Sequence, residues 1–349
     1  MKTTKKITFK DRLLHLTGAF ILLFSFMLGW MVMEYTAFVR TPLAIPAEGV
    51  VIVVNEGDSF HQVIRKLDRQ GLVDNRLVWR WMAWYEDLAS SIQRGEYFFP
   101  VGATPETLLQ WMNAGKVMQH SLTIVEGWSF KQIKIAVQKN EAIDKTLPAY
   151  TDEAIMVAIG YPGQHPEGRF FPDTYWFPRH TTDVAFFQRA YELMSSQLQQ
   201  VWMLRPDDFI LDSMDQVLTL ASVVEKETGL ATERPLIAGV FLRRLQKGMR
   251  LQTDPTVIYG MGERFDGNIR RSDLRTDTPY NTYTRHGLPP TPIAMPGLAA
   301  MMAVVRPAQD KSLYFVSKGD GSHYFSETLK EHQRAVRGYQ LTKKARDKK

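Results

Sequence analysis

Hydrophobic and polar positions fall into three textures along this chain. The first is Leu13 to Met33, LLHLTGAFILLFSFMLGWMVM, 21 residues without Asp, Glu, Lys or Arg. That is enough to cross a hydrocarbon core of about 30 Å, and it predicts a transmembrane helix. The run is longer than the apolar region of a cleaved signal, and no small-x-small site follows it, so an uncleaved anchor is expected. In the second texture, short apolar runs each end in a glycine turn. VVIVV at 50–54 leads into EGDSFHQV at 56–63, and SLTIV at 121–125 leads into EGWSFKQI at 126–133. The two copies share Glu, Gly, Ser, Phe and Gln in register, 70 residues apart. Each predicts a strand, a turn and an amphipathic helix with Ser59 or Ser129 as N-cap. A weaker third copy, VGATPETLLQWM at 101–112, offers Thr104 as cap and Pro105 as first helical residue.

The third texture begins near residue 150, with longer helical periods and long Pro/Gly segments. Residues 213–247 predict a helical hairpin. Ser213 with Gln216 reads as a capping box, and Gly229 is expected to close the first helix in a left-handed conformation. Thr232 is expected to cap the second helix, which Gly248 ends. YNTYTRHGLPPTPIAMPG at 280–297 holds four prolines and predicts an irregular segment, of a length that is uncommon without a function. SLYFVSKGDGSHYFS at 312–326 predicts a β-hairpin around Gly319, Asp320 and Gly321, and a charged helix is expected over 327–345. The class is α+β. The expected divisions are a tail at 1–12, an anchor at 13–33, a strand–turn–helix region at 40–150 and a mixed helical and β domain at 151–345.

Charge refines this picture. The 349 residues carry +6 overall with a pI near 9.3. Residues 1–12 hold Lys2, Lys5, Lys6, Lys10 and Arg12 against Asp11, and KKARDKK at the other end holds five bases against Asp347. With +4 at each end and +6 in all, the body carries −2. A body of that sign has no basic stripe for nucleic acid, so nucleic acid is not an expected partner. Five bases before the anchor, against Glu34 and Arg40 after it, place the N-terminus in the cytoplasm and the body outside. The absence of cysteine fits an oxidising compartment. The eight histidines are scattered without H-E-x-x-H spacing, which argues against a metal. Phosphate-loop, dinucleotide and G-x-S-x-G signatures are missing, and no cofactor is implied.

The candidate chemistry lies in SMDQVLTLASVVEKETG, 213–229. Leu218, Ala221, Ser222 and Glu225 share one helix face, and Val217, Leu220 and Val224 cover another. A helix so apolar is expected to be buried, and an acid buried in it costs several kcal/mol unless that cost has a use. Burial, together with the negative end of the helix dipole, is expected to raise the pKa of Glu225. Glu227 lies about 200° further round the helix, so the two acids cannot form one shared pair. A protonated carboxyl outside the cell is what glycosidic cleavage requires, because the leaving oxygen must receive a proton. The competing reading pairs Glu225 with Arg243 or Arg244 of the next helix.

Four motifs in order, EGRFFPDTYWF (167–177), LASVVEKET (220–228), LQTDPTVIYG (251–260) and YNTYTRHGLPPTPIAMPG (280–297), resemble the endolytic murein transglycosylases (MltG, YceG-like). The resemblance covers essentially the whole chain. It departs at Val125, where the family often has Pro. It implies an α+β body with a small LysM-like β/α subdomain ahead of the catalytic domain. It also implies an inner-membrane protein whose periplasmic body cuts between MurNAc and GlcNAc in nascent peptidoglycan, leaving 1,6-anhydroMurNAc ends. The first Glu of EKET, Glu225, is then the acid and base. Ser222, Gln252, Asp254, Thr256, Tyr259, Asn281 and Tyr283 are expected to shape the glycan groove, while Glu167 either bonds a sugar or holds its own loop. Glycan strands, the membrane and penicillin-binding proteins are the expected partners. A catalytically silent, membrane-tethered glycan-binding scaffold is the rival of another class, and a two-acid hydrolase is the nearer one.

Overall fold

The computed structural model describes residues 9–74, 76–85 and 92–341. Residues 1–8 and 342–349, which hold most of the basic charge of the two tails, therefore lie outside the described residues. Compact packing groups the chain into two units, one through His120 and one from Ser121 onward.

The first unit opens with α1 (Phe9–Arg40). Its segment Leu13–Arg40 is long and apolar enough to cross a membrane. There follow β1 (Val50–Val54), α2 (Phe60–Arg69), α3 (Arg76–Tyr85), β2 (Gly95–Phe99) and α4 (Pro105–Asn113). β1 and β2 pair antiparallel, with Ile52 opposite Tyr97. Their inward residues Ile52, Val54, Tyr97 and Phe99 meet Ile64, Leu67, Trp79 and Leu108 in one core. The local signals act as expected. Ser59 caps α2 in a full capping box with Gln62, and Thr104 accepts the Thr107 amide ahead of Pro105.

The second unit takes in the end of β3 (Gln119–Thr123), α5 (Phe130–Lys139), β4 (Ile143–Asp144), α6 (Asp152–Ala158), β5 (Thr174–Pro178), β6 (Thr181–Thr182) and α7 (Asp183–Met203). It continues with α8 (Met214–Glu227), α9 (Arg234–Gln246), α10 (Asp254–Met261), α11 (Arg271–Arg275), α12 (Leu298–Val305), β7 (Tyr314–Ser317), β8 (His323–Ser326) and α13 (Leu329–Val336). The second Gly-Ser-Phe copy belongs here. Its Ile124, Phe130, Ile133 and Val137 pack with Phe170, Tyr175 and Phe187, which draws it away from the 40–150 region that sequence similarity alone groups together. A second core joins α7, α8, α9 and α12 through Leu198, Leu218, Leu220, Val224, Ile237, Phe241 and Met301. Residues 281–297 form no helix or strand, and β7 and β8 make the expected hairpin.

The helical hairpin differs from expectation at its turn. α8 stops because Thr228 is extended (φ −146°, ψ 137°), and its hydroxyl accepts the Leu230 amide at 3.0 Å. The side-chain turn takes over the stop, and Gly229 is absent from the left-handed residues. Thr232 does not cap α9, whose N-cap is Glu233 in helical geometry ahead of Pro235. Gln216 splits its capping contacts, donating its amide to Ser213 Oγ and accepting from the Asp212 amide. Gly248 closes α9 at φ 63° as expected.

Candidate active site

The two acids of EKET end up in different environments. Glu225 leaves α8 toward the close of the 281–297 segment. One carboxylate oxygen accepts the Gly297 amide at 3.0 Å and the other accepts from Arg234 at 3.2 Å, with the side chain 5% exposed. Burial raises its pKa, and the Gly297 amide and the Arg234 charge work against that rise. The expected direction is therefore present, and so is an arginine of α9, but it is Arg234. Arg243 pairs with Asp310, and Arg244 donates to the carbonyls of Leu313 and Leu251, both at 2.7 Å. Arg234 also lies 3.6 Å from Glu126, so Glu225 ties α8, the Glu126 turn and the start of α12 together.

Glu227 leaves the opposite side of α8 and faces a cavity of about 410 Å³. Gln252, Asp254 and Tyr283 line this cavity with it, as do Arg244, Tyr314, His323 and His332. Burial pushes the Glu227 pKa up to about 7; the Thr253 hydrogen bond opposes this, and the nearby Asp254 charge adds to it. The Thr253 hydroxyl is the donor to its carboxylate. Thr253 is itself held by a strap: the Gln252 amide donates to the Thr282 carbonyl at 3.2 Å, and the Thr253 amide donates to Thr282 Oγ1 at 3.1 Å. Gln252 adopts φ 53° to make this turn, a conformation uncommon outside glycine. Tyr283 donates to Asp254 at 2.6 Å. His323 is fixed from behind by Glu233, which accepts from its amide at 2.8 Å and contacts Nδ1 at 2.7 Å.

The structure thus brings Gln252, Asp254 and Tyr283 together, and it separates the other expected groove residues from them. Ser222 is fully buried; it donates to the Thr219 carbonyl and accepts the Ile293 amide at 2.9 Å. Thr256 is fully buried and bonds the Thr253 carbonyl and Thr282. Asn281 donates to the carbonyls of Asp273, Leu274 and Thr276. Glu167 accepts the Phe130 amide at 3.0 Å and the Tyr259 hydroxyl at 3.1 Å, and burial lifts its pKa to about 7. Of its two expected roles, these contacts are those of holding the loop. These five residues brace the site's walls. Glu227, Arg244, Tyr314, His323 and His332 escape the sequence reading; only Glu227 carried a signal there, as the second acid of its motif.

A larger hollow of about 520 Å³ is lined by Leu204, Phe209, Leu242 and Val305. Its lining includes the Arg243–Asp310 ion pair together with Asp208 and Arg306, and neither acid of EKET, so the smaller cleft is the better reaction site.

Comparison with known proteins places these features in a family. The YceG-like family matches residues 52–338. An endolytic murein transglycosylase of Bacillus subtilis (strain 168) is 30% identical over 83% of this chain and 84% of its own length. One from Streptococcus pneumoniae serotype 2 is 26% identical over 82% of this chain, which spans 58% of that longer protein. The crystal structure of a yceG-like protein from Listeria monocytogenes superposes with a TM-score of 0.52 at 26% identity, covering 83% of this chain and all of that one.

Proposed function

The chain belongs to the YceG-like family, and from that membership we propose that it is a membrane-anchored endolytic murein transglycosylase. It cuts the MurNAc–GlcNAc bond within glycan strands and leaves 1,6-anhydroMurNAc ends. The observation that carries the reading is Glu227: an acid with a pKa near 7, opening into a cleft walled by Gln252, Asp254 and Tyr283.

The chemistry follows from that acid. Protonated Glu227 gives its proton to the bridging oxygen as the bond from MurNAc C1 to that oxygen breaks. The carboxylate then takes the proton of the C6 hydroxyl of the same MurNAc while O6 closes onto C1. The acid is regenerated and no water is consumed, so one carboxyl serves both steps, unlike a two-acid hydrolase. A pKa near neutrality suits a group that must both give and take a proton. Gln252 and Tyr283 offer polar edges to sugar hydroxyls and acetamido groups. Arg244 is engaged by backbone carbonyls and shapes the floor.

We propose the second acid of EKET as the catalytic group; the family resemblance points instead to Glu225, and the digestion below decides between them. Glu225 bonds Arg234 with one oxygen and the Gly297 amide with the other, the contacts of a positioning residue. In the first unit, the β1–α2–α3–β2 order supports a LysM-like part that holds glycan. Five bases ahead of the apolar run that begins at Leu13 support a cytoplasmic N-terminus and a body outside the inner membrane.

Digestion of defined uncrosslinked glycan strands tests the assignment. Glu227→Gln is expected to lose anhydro-ended products by about 100-fold or more with strand binding retained. Glu225→Gln, which keeps an acceptor for the Gly297 amide, is expected to retain turnover and lose stability. Loss confined to Glu225→Gln would return the catalytic role to Glu225. Products heavier by one water would point to a hydrolase using Asp254 as the second acid, and no cleavage by the wild type would favour the silent scaffold.

A further inference from the structure

The first unit holds a geometric relation between the membrane span and the small domain that the transglycosylase reading does not use. The span Leu13–Arg40 has 28 residues, about 42 Å of helix at 1.5 Å per residue. The hydrocarbon core takes up about 30 Å. The charge-free run from Leu13 to Met33 fills that core, and Glu34 marks where it ends. The last two turns of α1 therefore rise into and above the headgroups.

Those turns are built into the small domain. Val39 belongs to the first unit's core, with Tyr35 and Phe38 packed against it. Phe38 meets Trp79 edge-on with ring centroids 5.7 Å apart, and Tyr35 meets Trp81 in the same way at 4.9 Å. Beyond the helix, the Leu43 amide donates to the Ala103 carbonyl at 2.9 Å. No tether intervenes between span and domain.

Tyr35 stands two residues past Met33, about 3 Å further along the helix axis. Its ring partner Trp81 must then sit at nearly the same depth. On α3, Trp79 and Met82 are buried while Trp81 stays 39% exposed, and its neighbour Arg80 is exposed. A tryptophan beside an arginine, at the height where the hydrocarbon ends, is the pairing that membrane–water interfaces favour: an amphipathic ring at headgroup level and a cation for lipid phosphate.

We infer that α3 rests in the headgroup layer of the leaflet from which α1 emerges, with Trp81 and Arg80 touching lipid, so that the first unit lies on the membrane surface. This rests on α1 spanning the bilayer and is independent of which acid is catalytic.

The cysteine-free chain allows a direct depth measurement. Full-length protein carrying a nitroxide at Arg80→Cys, and separately at Leu22→Cys, is reconstituted in phosphatidylethanolamine and phosphatidylglycerol vesicles. Relaxation by oxygen and by a water-soluble nickel chelate is then compared. The Leu22 label is expected in the hydrocarbon and the Arg80 label within about 5–10 Å of the phosphates. A deep Leu22 label with a fully aqueous Arg80 label overturns the inference. An aqueous Leu22 label overturns it too, by removing the anchor on which it rests. Arg80 is a surface residue, so its label leaves the Trp79 core intact, and anhydro-product release in detergent is expected unchanged.

Discussion

At the scale of single residues, two glutamates two positions apart are both pushed upward by burial, and their surroundings differ. Glu225 spends its oxygens on Gly297 and Arg234; Glu227 keeps one flank on a cleft. The Thr253 hydroxyl stabilises the ionised form of Glu227 and so lowers its pKa against the effect of burial. With the acid form required for bond cleavage, turnover is expected to fall as pH rises through about 7. Thr253→Val removes the hydroxyl in a similar volume, and the alkaline limb of the pH–rate profile is expected to move upward by about one unit. Initial rates of anhydro-end formation between pH 5 and 9 check this; an unmoved limb would mean that another group sets it. In the sequence, the helical wheel separated the two acids correctly. It could not tell which side of α8 would face open space, because the cleft's far wall comes from β7, β8 and α13, about 90 residues downstream.

At the scale of elements, what could be read in the sequence was what is decided locally. The Ser59 box, the Thr104 cap with Pro105 and the left-handed Gly248 need only neighbours three or four residues away. The turn after α8 departs from the glycine stop its sequence predicts because a hydroxyl, that of Thr228, takes over that role. Ser222, Thr256 and Asn281 looked like groove residues because they are polar, yet each satisfies buried backbone that has no regular partner. Ser222 meets that need inside the irregular 281–297 segment, whose buried backbone groups must be paired by side chains, while Thr256 meets it for Thr253 and Asn281 for the end of α11.

Two glycines bordering this segment test the point. A Cβ on Gly168, which has φ 79°, would meet Pro292 Cβ at 2.4 Å and Cγ at 2.6 Å. Conformational strain and a rigid ring coincide there, so Gly168→Ala is expected to cost about 2–3 kcal/mol. A Cβ on Gly297 would meet Glu126 Oε1 at 1.8 Å, but Glu126 is an exposed, flexible side chain able to swing away. Gly297→Ala is expected to cost less than about 1 kcal/mol. Denaturant midpoints of the two variants rank them, and equal costs would contradict the argument.

At the scale of the whole molecule, buried carboxylates set how stability varies with pH. Glu167 and Glu227 both have folded-state values near 7, against an ordinary value of 4.5. For such a group the folded protein holds its proton more tightly than the unfolded chain does, so stability is highest at low pH and declines as pH rises from about 4.5 through about 7. Asp183 works in the opposite sense. Hydrogen bonds from Thr146, Tyr150 and Leu147 hold its pKa below the usual range in spite of burial, so its contribution is lost on acidification. Between these limits the protein is expected to be most stable in mildly acidic solution and to lose melting temperature from pH 6 to 8. Glu227→Gln removes one of these alkaline penalties, worth at most on the order of 3 kcal/mol. Its melting temperature is therefore expected to exceed that of the wild type at pH 8 and to converge with it at pH 5. Scanning calorimetry of both proteins across this range decides the matter. Parallel curves would mean that Glu227 is solvated in the folded state, and the proton it is asked to carry at neutral pH would then have no source.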